Sequence, residues 1–574
     1  MTPTAAQDVA SPAAAPIAAE VFLRALAEHG VDFFFANPGT DFPPVVEAFA
    51  RGRAGNAKLP RPLLVPHENL AVAMAHGAYL ITGRPQAVMV HVNVGTGNTI
   101  NNLINLSRDR VPLLLAAGRT PITESGHFGA RSRPIHWAQE MFDQAAMVRE
   151  LVKWDYELRL PEQVGDVVRR AFEAAMTSPR GPVYLVLPRE PFSATLAEWP
   201  APAAARAVPA PPRPDPAAIA ALAGWIAAAE RPLLITAAAG HDPAAVAALA
   251  RLAERCAIPV VSHNPRTIGL PASHPMQFGC EPAALLADAD LVIVLEADVP
   301  WIPSRERPPA TARVAHIGED PGFLRYPLRS FPSDLAITAT ARAAIEALDA
   351  AVAEPGVIDD RRVAARRIRL AAAAARRRDR IAAEGQPGEA ITPPWLSRAI
   401  GEAVGPDAVI FNEYPVILDQ CGREQAGTFF GLSPAGGLGW GLGAALGAKL
   451  AAPDRLIVAA IGDGAYLFTN PTACHWVGAV HDLPVLTVIF NNTRYGAVRR
   501  ATLAMFKDGA AGADDGRFLA DLAPSPPFEA LVAAQGGHGE RVERPADLPA
   551  ALARARDAVV KERRQALVNV ICPY

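Results

Sequence analysis

Short apolar runs alternate with segments of helical spacing along most of the chain. In the first third, helical spacing is found in EVFLRALAEHG, and buried strands are predicted from VDFFFANPGT, QAVMVHVNVGTGN, VPLLLAAGRT and GPVYLVLP. The middle third continues with the strand-like runs RPLLITAAAG, IPVVSH, ADLVIVLEA and ARVAHIGED. This regular alternation predicts the α/β class, with parallel, doubly wound sheets.

Two breaks divide the pattern into three blocks. The Pro- and Ala-rich segment 193–213 lacks periodicity and is predicted to be a linker. The charged segment 351–391 mixes Arg with acidic residues and has no interleaved aromatics, which favours a solvated helical connector over a nucleic-acid-binding element. The predicted organisation is therefore a disordered tail at 1–15, a first domain at 16–192, a middle domain at 214–350 and a third domain at 392–574.

Composition limits the class of protein. A chain of 574 residues, half of them hydrophobic, is long enough for several cores. A net charge of −3 gives no reason to expect nucleic acid or an anionic membrane as a partner. The five cysteines show no CxxC spacing, and the N-terminus lacks a secretory pattern, so we expect a cytoplasmic protein. The Gly-rich segment 435–452 is interrupted by Lys449 before it reaches membrane-spanning length.

The clearest chemical signal lies between residues 455 and 498. The apolar run 456–461 ends at Gly462-Asp463-Gly464, and the run 484–490 ends at Asn491-Asn492. A right-handed crossover would bring the carboxyl ends of both strands side by side, so Asp463 and Asn492 are expected at one sheet edge. Carboxylate and amide oxygens suit Mg²⁺, and flanking glycines with a following helix start suit a phosphate. The sequence therefore predicts a metal-bound diphosphate.

Gly-Asp-Gly followed at this distance by Asn-Asn resembles the cofactor motif of thiamine-diphosphate-dependent enzymes, with slightly longer spacing here. The resemblance implies that the side chains of Asp463 and Asn492 and the backbone carbonyl of Arg494 bind Mg²⁺. It also assigns four neighbouring residues to the cofactor site, namely Gly464, Ala465, Tyr495 and Gly496.

The resemblance covers nearly the whole chain and implies its architecture. The three blocks would be the pyrimidine-binding, middle and diphosphate-binding domains of that family. In the family, the first domain of one subunit faces the third domain of its partner. A homodimer or homotetramer with active sites between subunits is therefore implied.

Two further segments resemble parts of the same family. Glu68, in HENLAVAMAHGAYLITG, resembles the family's glutamate, which hydrogen-bonds N1′ of the cofactor; the alternative is an acidic residue favoured by the helix macrodipole. Gly437 and Leu438, in SPAGGLGWGLGAALG, resemble the segment whose apolar side chain bends the cofactor; core packing is the alternative for Leu438. A dinucleotide fingerprint is not expected, since the glycines do not fit G-x-G-x-x-G and no strand is predicted before them.

Polar residues also follow two strands of the first domain, where ligands collect in open α/β sheets. The segments NPGT at 37–40, HVNVGTGN at 91–98 and LVKWDYE at 151–157 together resemble benzoylformate decarboxylases. The resemblance implies that Thr40 binds the substrate carboxylate and His91 transfers protons, with a structural strand histidine as the alternative. Pro38, Gly39 and Asn98 are assigned to the cofactor site.

One departure leaves the reaction open. Benzoylformate decarboxylases take a second histidine from the middle domain, where this chain has Trp301. The segment HWAQE at 136–140 partly resembles acetolactate-synthase-like carboligases, some of which bind FAD, but those enzymes usually have glycine at the position of Thr40. We therefore expect an enzyme that uses thiamine diphosphate and Mg²⁺ on a 2-oxo acid and either releases an aldehyde or ligates it to an acceptor. FAD is left open for the middle domain but is not indicated.

Overall fold

The computed structural model describes residues 15–200, 207–513 and 518–572. It contains three sheets, one in each third of the chain, and every strand pair within them is parallel. The three parallel α/β sheets confirm the predicted fold class. The predicted tail at 1–15 lies outside the described residues except for residue 15, as does the part 201–206 of the predicted linker. No helix in the described ranges is long and apolar enough to cross a membrane.

The first sheet has the order β2-β1-β3-β4-β6-β5. Three of its four inner strands are almost wholly buried, as expected for a parallel sheet covered by helices. The strands are β1 Phe33–Asn37, β2 Arg61–Leu64, β3 Gln86–Val90, β4 Leu113–Arg119, β5 Asp155–Glu157 and β6 Val183–Pro188, and the helices are α1 Ala18–Glu28, α2 Pro43–Ala54, α3 Glu68–Thr82, α4 Val92–Arg108, α5 Ile135–Ala138, α6 Val164–Met176 and α7 Arg189–Ser193.

The middle sheet has the order β11-β10-β9-β7-β8. Its strands are β7 Pro232–Thr236, β8 Val260–Ser262, β9 Leu291–Leu295, β10 Arg313–Gly318 and β11 Leu335–Thr338, and its helices are α8 Pro216–Ala228, α9 Pro243–Cys256, α10 Ala283–Leu286 and α11 Ala341–Ala353.

The charged connector forms one long helix, α12 Asp360–Glu384. It is helical as predicted but not wholly solvated, because one face packs on the middle domain. Val363 and Leu370 join the middle core, and the buried Arg366 donates to the carbonyls of Ile226, Ala229 and Cys256. These carbonyls lie in the last turn of α8, just after it and at the end of α9, where helix carbonyls lack intrahelical partners.

The third sheet, β13-β12-β14-β15-β17-β16, repeats the topology of the first. Its strands are β12 Val409–Glu413, β13 Phe429–Gly431, β14 Ile457–Gly462, β15 Leu486–Asn491, β16 His538–Val542 and β17 Ala566–Ile571, and its helices are α13 Pro393–Val404, α14 Leu418–Cys421, α15 Gly441–Ala451, α16 Asp463–Phe468, α17 Pro471–Val480, α18 Gly496–Met505, α19 Ala510–Ala513, α20 Phe528–Ala533 and α21 Leu548–Val560.

The first and third domains share one hydrophobic core because α3 and α15 cross at backbone distance. A Cβ atom on Gly77 would lie 1.9 Å from the Ala444 carbonyl oxygen, and one on Gly447 would lie 1.9 Å from the Met74 carbonyl oxygen. Only glycine allows so close an approach of two helix backbones. The crossing therefore fixes the beginnings of both helices relative to each other.

Two local expectations are wrong. The strand predicted from QAVMVHVNVGTGN ends at Val90, and His91 caps α4 instead of lying in a strand. The backbone turns at Val92, whose φ of 36° is incompatible with an extended strand. A short strand, β13, does precede the glycines around Leu438, although none was expected.

Candidate active site

Asp463 and Asn492 follow neighbouring parallel strands. Gly462 of β14 pairs with Phe490 of β15, so the two strands end at the same level. Asp463 is the first residue of α16 and is 3% exposed. Burial raises the pKa of its carboxyl group to about 6, against hydrogen bonds from the backbone N–H groups of Gly464, Thr493 and Arg494. A desolvated carboxylate held by neutral backbone donors is a favourable place for a cation.

The residues after β15 form a tight turn around the predicted metal ligands. Arg494 N donates to Asn492 Oδ1 at 3.0 Å, and Gly496 N donates to the Arg494 carbonyl at 3.0 Å. Each of these oxygens keeps a second lone pair for a cation. The ring of Tyr495 packs against Gly464, while Ala465 is buried in α16. The predicted residues of this half-site are thus brought together.

Glu68 begins α3 and is 7% exposed. The amide of Asn98, in the second turn of α4, donates to Glu68 Oε2 at 3.0 Å. One turn further along α4, Asn101 donates to the Leu438 carbonyl at 2.7 Å, and Asn105 exchanges two hydrogen bonds with the backbone of Gly437. Helix α4 therefore links the carboxylate of Glu68 to the loop that contains Gly437 and Leu438. The sequence indicated Asn98 but neither Asn101 nor Asn105.

Glu413 is a further buried carboxylate, which sequence reasoning missed. It ends β12 and accepts hydrogen bonds from Gly439 N at 2.8 Å and Gly441 N at 2.6 Å, on either side of Trp440. Burial raises the pKa of its carboxyl group to about 7. Its side chain holds the loop that carries Leu438. The signal that could have found it is an acidic residue at the end of the apolar run 408–411, the same pattern that singled out Asp463.

A fourth carboxylate, Asp41, holds His91. His91 Nδ1–H donates to Asp41 Oδ1 at 2.5 Å, and Val92 N donates to Asp41 Oδ2 at 3.2 Å. Asp41 follows Thr40 directly, and a Cβ atom on Gly39 would lie 2.2 Å from the His91 ring. The two predicted segments of the first domain therefore meet at this ring. Asp41 was missed because no motif marked it.

The Asp41 contact determines which ring nitrogen of His91 can transfer a proton. With Nδ1 donating to Asp41, Nε2 is the atom left to accept or give a proton. The hydrogen bond to the Asp41 carboxylate raises the pKa of His91 above its usual value of 6.5, although partial burial opposes the rise. The pair therefore stabilises the fold fully below pH 6.5, and this contribution is lost as the pH rises through the folded-state pKa of His91.

The segment 136–140 lies beside His91. Gln139 Nε2 is 3.5 Å from His91 Nε2, whereas Glu140 forms ion pairs with Arg119 and Arg131. A narrow cavity at this edge of the sheet is lined by Thr40, Asp41, His91, His136, Gln139 and Arg189, among others.

Trp301 is a core residue. It is 1% exposed and packs edge-to-face on Phe331, with ring centroids 5.1 Å apart.

Comparison with known proteins decides the family. The models for thiamine pyrophosphate enzymes match the chain in order: the N-terminal TPP binding domain at 17–147, the central domain at 219–348 and the C-terminal TPP binding domain at 414–570. The chain belongs to the thiamine pyrophosphate enzyme family. This confirms the family inferred from the Gly-Asp-Gly and Asn-Asn motifs.

Relatives of this thiamine pyrophosphate enzyme include both classes left open by the sequence. It is 29% identical over 496 residues to a benzoylformate decarboxylase of Pseudomonas aeruginosa, covering 83% of this chain and 85% of that protein. It is 29% identical over 506 residues to a probable 2-ketoarginine decarboxylase of the same species, covering 85% and 84%. A probable acetolactate synthase of Mycobacterium bovis is 26% identical over 501 residues, covering 85% of each chain.

The fold is also shared with a solved structure. The thiamine diphosphate-dependent 4-hydroxybenzoylformate decarboxylase of Rhodococcus jostii RHA1 aligns with a TM-score of 0.78 and 24% identity, covering 97% of this chain and 99% of that one.

The substitution Asp41→Asn tests how His91 is held. Asparagine fits the same space but carries no charge, so the pKa of His91 should fall. The measurement is an NMR pH titration of the His91 ring, assigned with a His91→Gln variant. The matched control is Asp32→Asn, at the amino end of β1, where the carboxylate binds Arg84 and should leave His91 unchanged. An unaltered His91 titration in Asp41→Asn would show that the carboxylate does not control the ring.

Proposed function

We propose that this thiamine pyrophosphate enzyme is an Mg²⁺-dependent decarboxylase of 2-oxo acids, similar in reaction to benzoylformate decarboxylase. The product is an aldehyde, or a ligated product when an acceptor carbonyl is present. The observation that carries the proposal is the His91–Asp41 pair next to Thr40, on the same first domain as Glu68. A proton donor of this kind is what release of an aldehyde requires.

The residues present fit the cofactor. Asp463 offers a buried carboxylate without a cationic partner among its hydrogen bonds, and the oxygens of Asn492 and Arg494 lie in the adjoining turn. These three groups would hold Mg²⁺ and through it the diphosphate. Leu438, in a loop fixed by Glu413, would support the cofactor's rings. The chemistry that the bound cofactor supplies is an electron sink for the carbanion formed when CO₂ leaves.

The remaining steps belong to side chains of this chain. Glu68, oriented by Asn98, would exchange a proton with the pyrimidine nitrogen of the cofactor. Thr40 would donate its hydroxyl to the substrate carboxylate. His91 would take and return a proton at Nε2, since Asp41 occupies Nδ1. Asp41 itself is a positioning residue.

Product analysis of the purified enzyme tests the function. Benzoylformate, phenylpyruvate, pyruvate and 2-ketoarginine are each supplied with thiamine diphosphate and Mg²⁺, with and without an aldehyde acceptor. We expect CO₂ and aldehyde from at least one acid, and His91→Ala should lower aldehyde release by about 10²–10⁴-fold while cofactor binding persists. His538→Ala, in the edge strand β16 of the third domain, is the control.

Two outcomes would contradict the proposal. Without turnover of any 2-oxo acid by cofactor-loaded enzyme, decarboxylation itself would be refuted. If His91→Ala loses aldehyde but spares the ligated product, the chain is a carboligase whose main reaction does not need this proton.

The substitution Asp463→Ala tests the metal assignment. Loss of the one carboxylate in the predicted donor set should weaken cofactor affinity by at least about 100-fold. The measurement is the thiamine diphosphate retained after gel filtration in Mg²⁺, with circular dichroism to verify folding. Asp454→Ala, on the exposed surface of the same domain, should retain the cofactor. Full retention by Asp463→Ala would remove Asp463 from the site.

We also infer that a second copy of the chain completes each site. Many large apolar side chains are exposed on the segments that carry the two half-sites, and concentrations of exposed apolar surface favour an interface. Those of the first domain are Ile122, Phe128, Ile135, Trp137 and Phe142, and those of the third are Phe468, Val498, Met505, Phe506, Phe518 and Leu519.

Mixed assembly of two inactive variants tests this arrangement. Glu68→Gln and Asp463→Ala each remove one half-site, so each should be inactive alone. If the sites form between copies of a two-fold dimer, co-expression should restore about a quarter of wild-type activity, because half of the dimers are mixed and each has one intact site. Two different affinity tags verify the mixed dimer. An inactive mixed dimer would place the complete site within one chain.

A further inference from the structure

His136 has a buried N–H group that finds no partner in the part of the chain that the structure describes. It lies in the short helix α5 and is 2% exposed. Its Nδ1 accepts a hydrogen bond from Ser132 N at 3.1 Å, so in the neutral ring the proton is on Nε2. Among the described residues, no atom accepts a hydrogen bond from that buried Nε2. An unsatisfied buried donor is costly and calls for an explanation such as a bound ligand.

The cavity next to His136 contains the groups proposed to act on the substrate. Thr40 and His91 line it together with His136. The two arginines of the same wall have other partners. Arg119 pairs with Glu140 and Glu157, and Arg189 donates to the carbonyls of Thr40, Gly129 and Ala130. His136 is therefore a donor in this wall that is still free for an anionic ligand.

We propose that His136 Nε2–H donates a hydrogen bond to the carboxylate of the 2-oxo acid, beside Thr40 and opposite His91. The inference rests on the proposed function, because it names the residue that recognises the acid group of that substrate. It also gives the segment 136–140 a role other than the carboligase resemblance found in the sequence. The cavity is too narrow for a carboxylate as it stands, so we expect the amide of Gln139 to move aside; its 3.5 Å contact with His91 is too long for a strong hydrogen bond.

A neutral donor suits decarboxylation. The carboxylate loses its negative charge as CO₂ leaves, so a cation bound to it would stabilise the ground state more than the transition state. Burial, with nearby Arg189, lowers the pKa of His136, which keeps the ring neutral near pH 7. The Asp41 contact raises the pKa of His91, so the two rings are prepared for different tasks. His136 binds and orients the carboxylate of the substrate, and His91 transfers the proton.

The substitution His136→Asn separates this role from a structural one. Asparagine Oδ1 can still accept the Ser132 N–H, whereas no donor remains at the position of Nε2. His136→Gln places an amide N–H near that position and should recover part of the function. His538→Asn is the matched control, since His538 lies in the edge strand β16 of the third domain and not in the cavity wall.

Three constants are measured in the holoenzyme with Mg²⁺. They are kcat/KM for the 2-oxo acid, Ki for the 2-hydroxy acid with the same side chain, and Ki for the aldehyde product. The 2-hydroxy acid keeps the carboxylate but has no ketone to react, and the aldehyde has no carboxylate. In His136→Asn, we expect kcat/KM to fall and the Ki of the 2-hydroxy acid to rise, each by about 10- to 100-fold. The Ki of the aldehyde should stay within about twofold.

Two results would overturn the inference. If the Ki of the 2-hydroxy acid is unchanged in His136→Asn, the carboxylate does not bind there. If the Ki of the aldehyde rises equally, the substitution has deformed the site and His136 is structural. Failure of the proposed function is distinguishable, because the wild-type enzyme would then turn over no 2-oxo acid at all.

Discussion

The close crossing of α3 and α15 is the contact on which the placement of both half-sites depends. Gly77 and Gly447 let each helix approach a carbonyl oxygen of the other, so any larger side chain would force the first and third domains apart. Next to the crossing, the Trp440 indole N–H donates to His76 Nδ1 at 3.0 Å. Burial lowers the pKa of His76 to about 3, which keeps that nitrogen an acceptor. Glu68 begins one of these helices, and the Leu438 loop leads into the other.

Buried carboxylates at strand ends recur around this crossing and do similar physical work. Asp41, Glu413 and Asp463 each lie just after or at the end of a parallel strand, and each accepts hydrogen bonds from backbone N–H groups of a nearby turn. Taking a carboxylate out of water is costly unless such donors replace the solvent. Each turn is thereby held by the buried carboxylate that its N–H groups bind. The hydrogen bonds to these carboxylates thus fix the geometry of the loops, while the strands determine where the loops begin.

The fold and the metal half-site could be predicted because their signals are local. Asp463 and Asn492 follow unbroken apolar runs, and the handedness of the crossover then fixes which sheet edge they share. Asp41 could not be predicted in the same way, since its partners His91 and Val92 belong to a segment about 50 residues away. The apolar, β-branched character of the residues around His91 favoured a strand, but the Asp41 contacts hold a turn there instead. Trp301 likewise gave no sequence sign that the side chain is buried in the middle core.

The crossing has a consequence for synthesis of the chain. Gly77 and Ala444 are roughly 370 residues apart, so the glycine face of α3 leaves the ribosome long before the helix that covers it. At about 5–20 residues per second, the delay is on the order of 20–70 s, which is long compared with the collapse of a domain. The first domain must therefore fold with an uncovered apolar surface during that time. The contact between α3 and α15 therefore forms only after the middle domain has been synthesised. A longer middle domain would prolong the exposure of α3, so the need for chaperones should increase with its length.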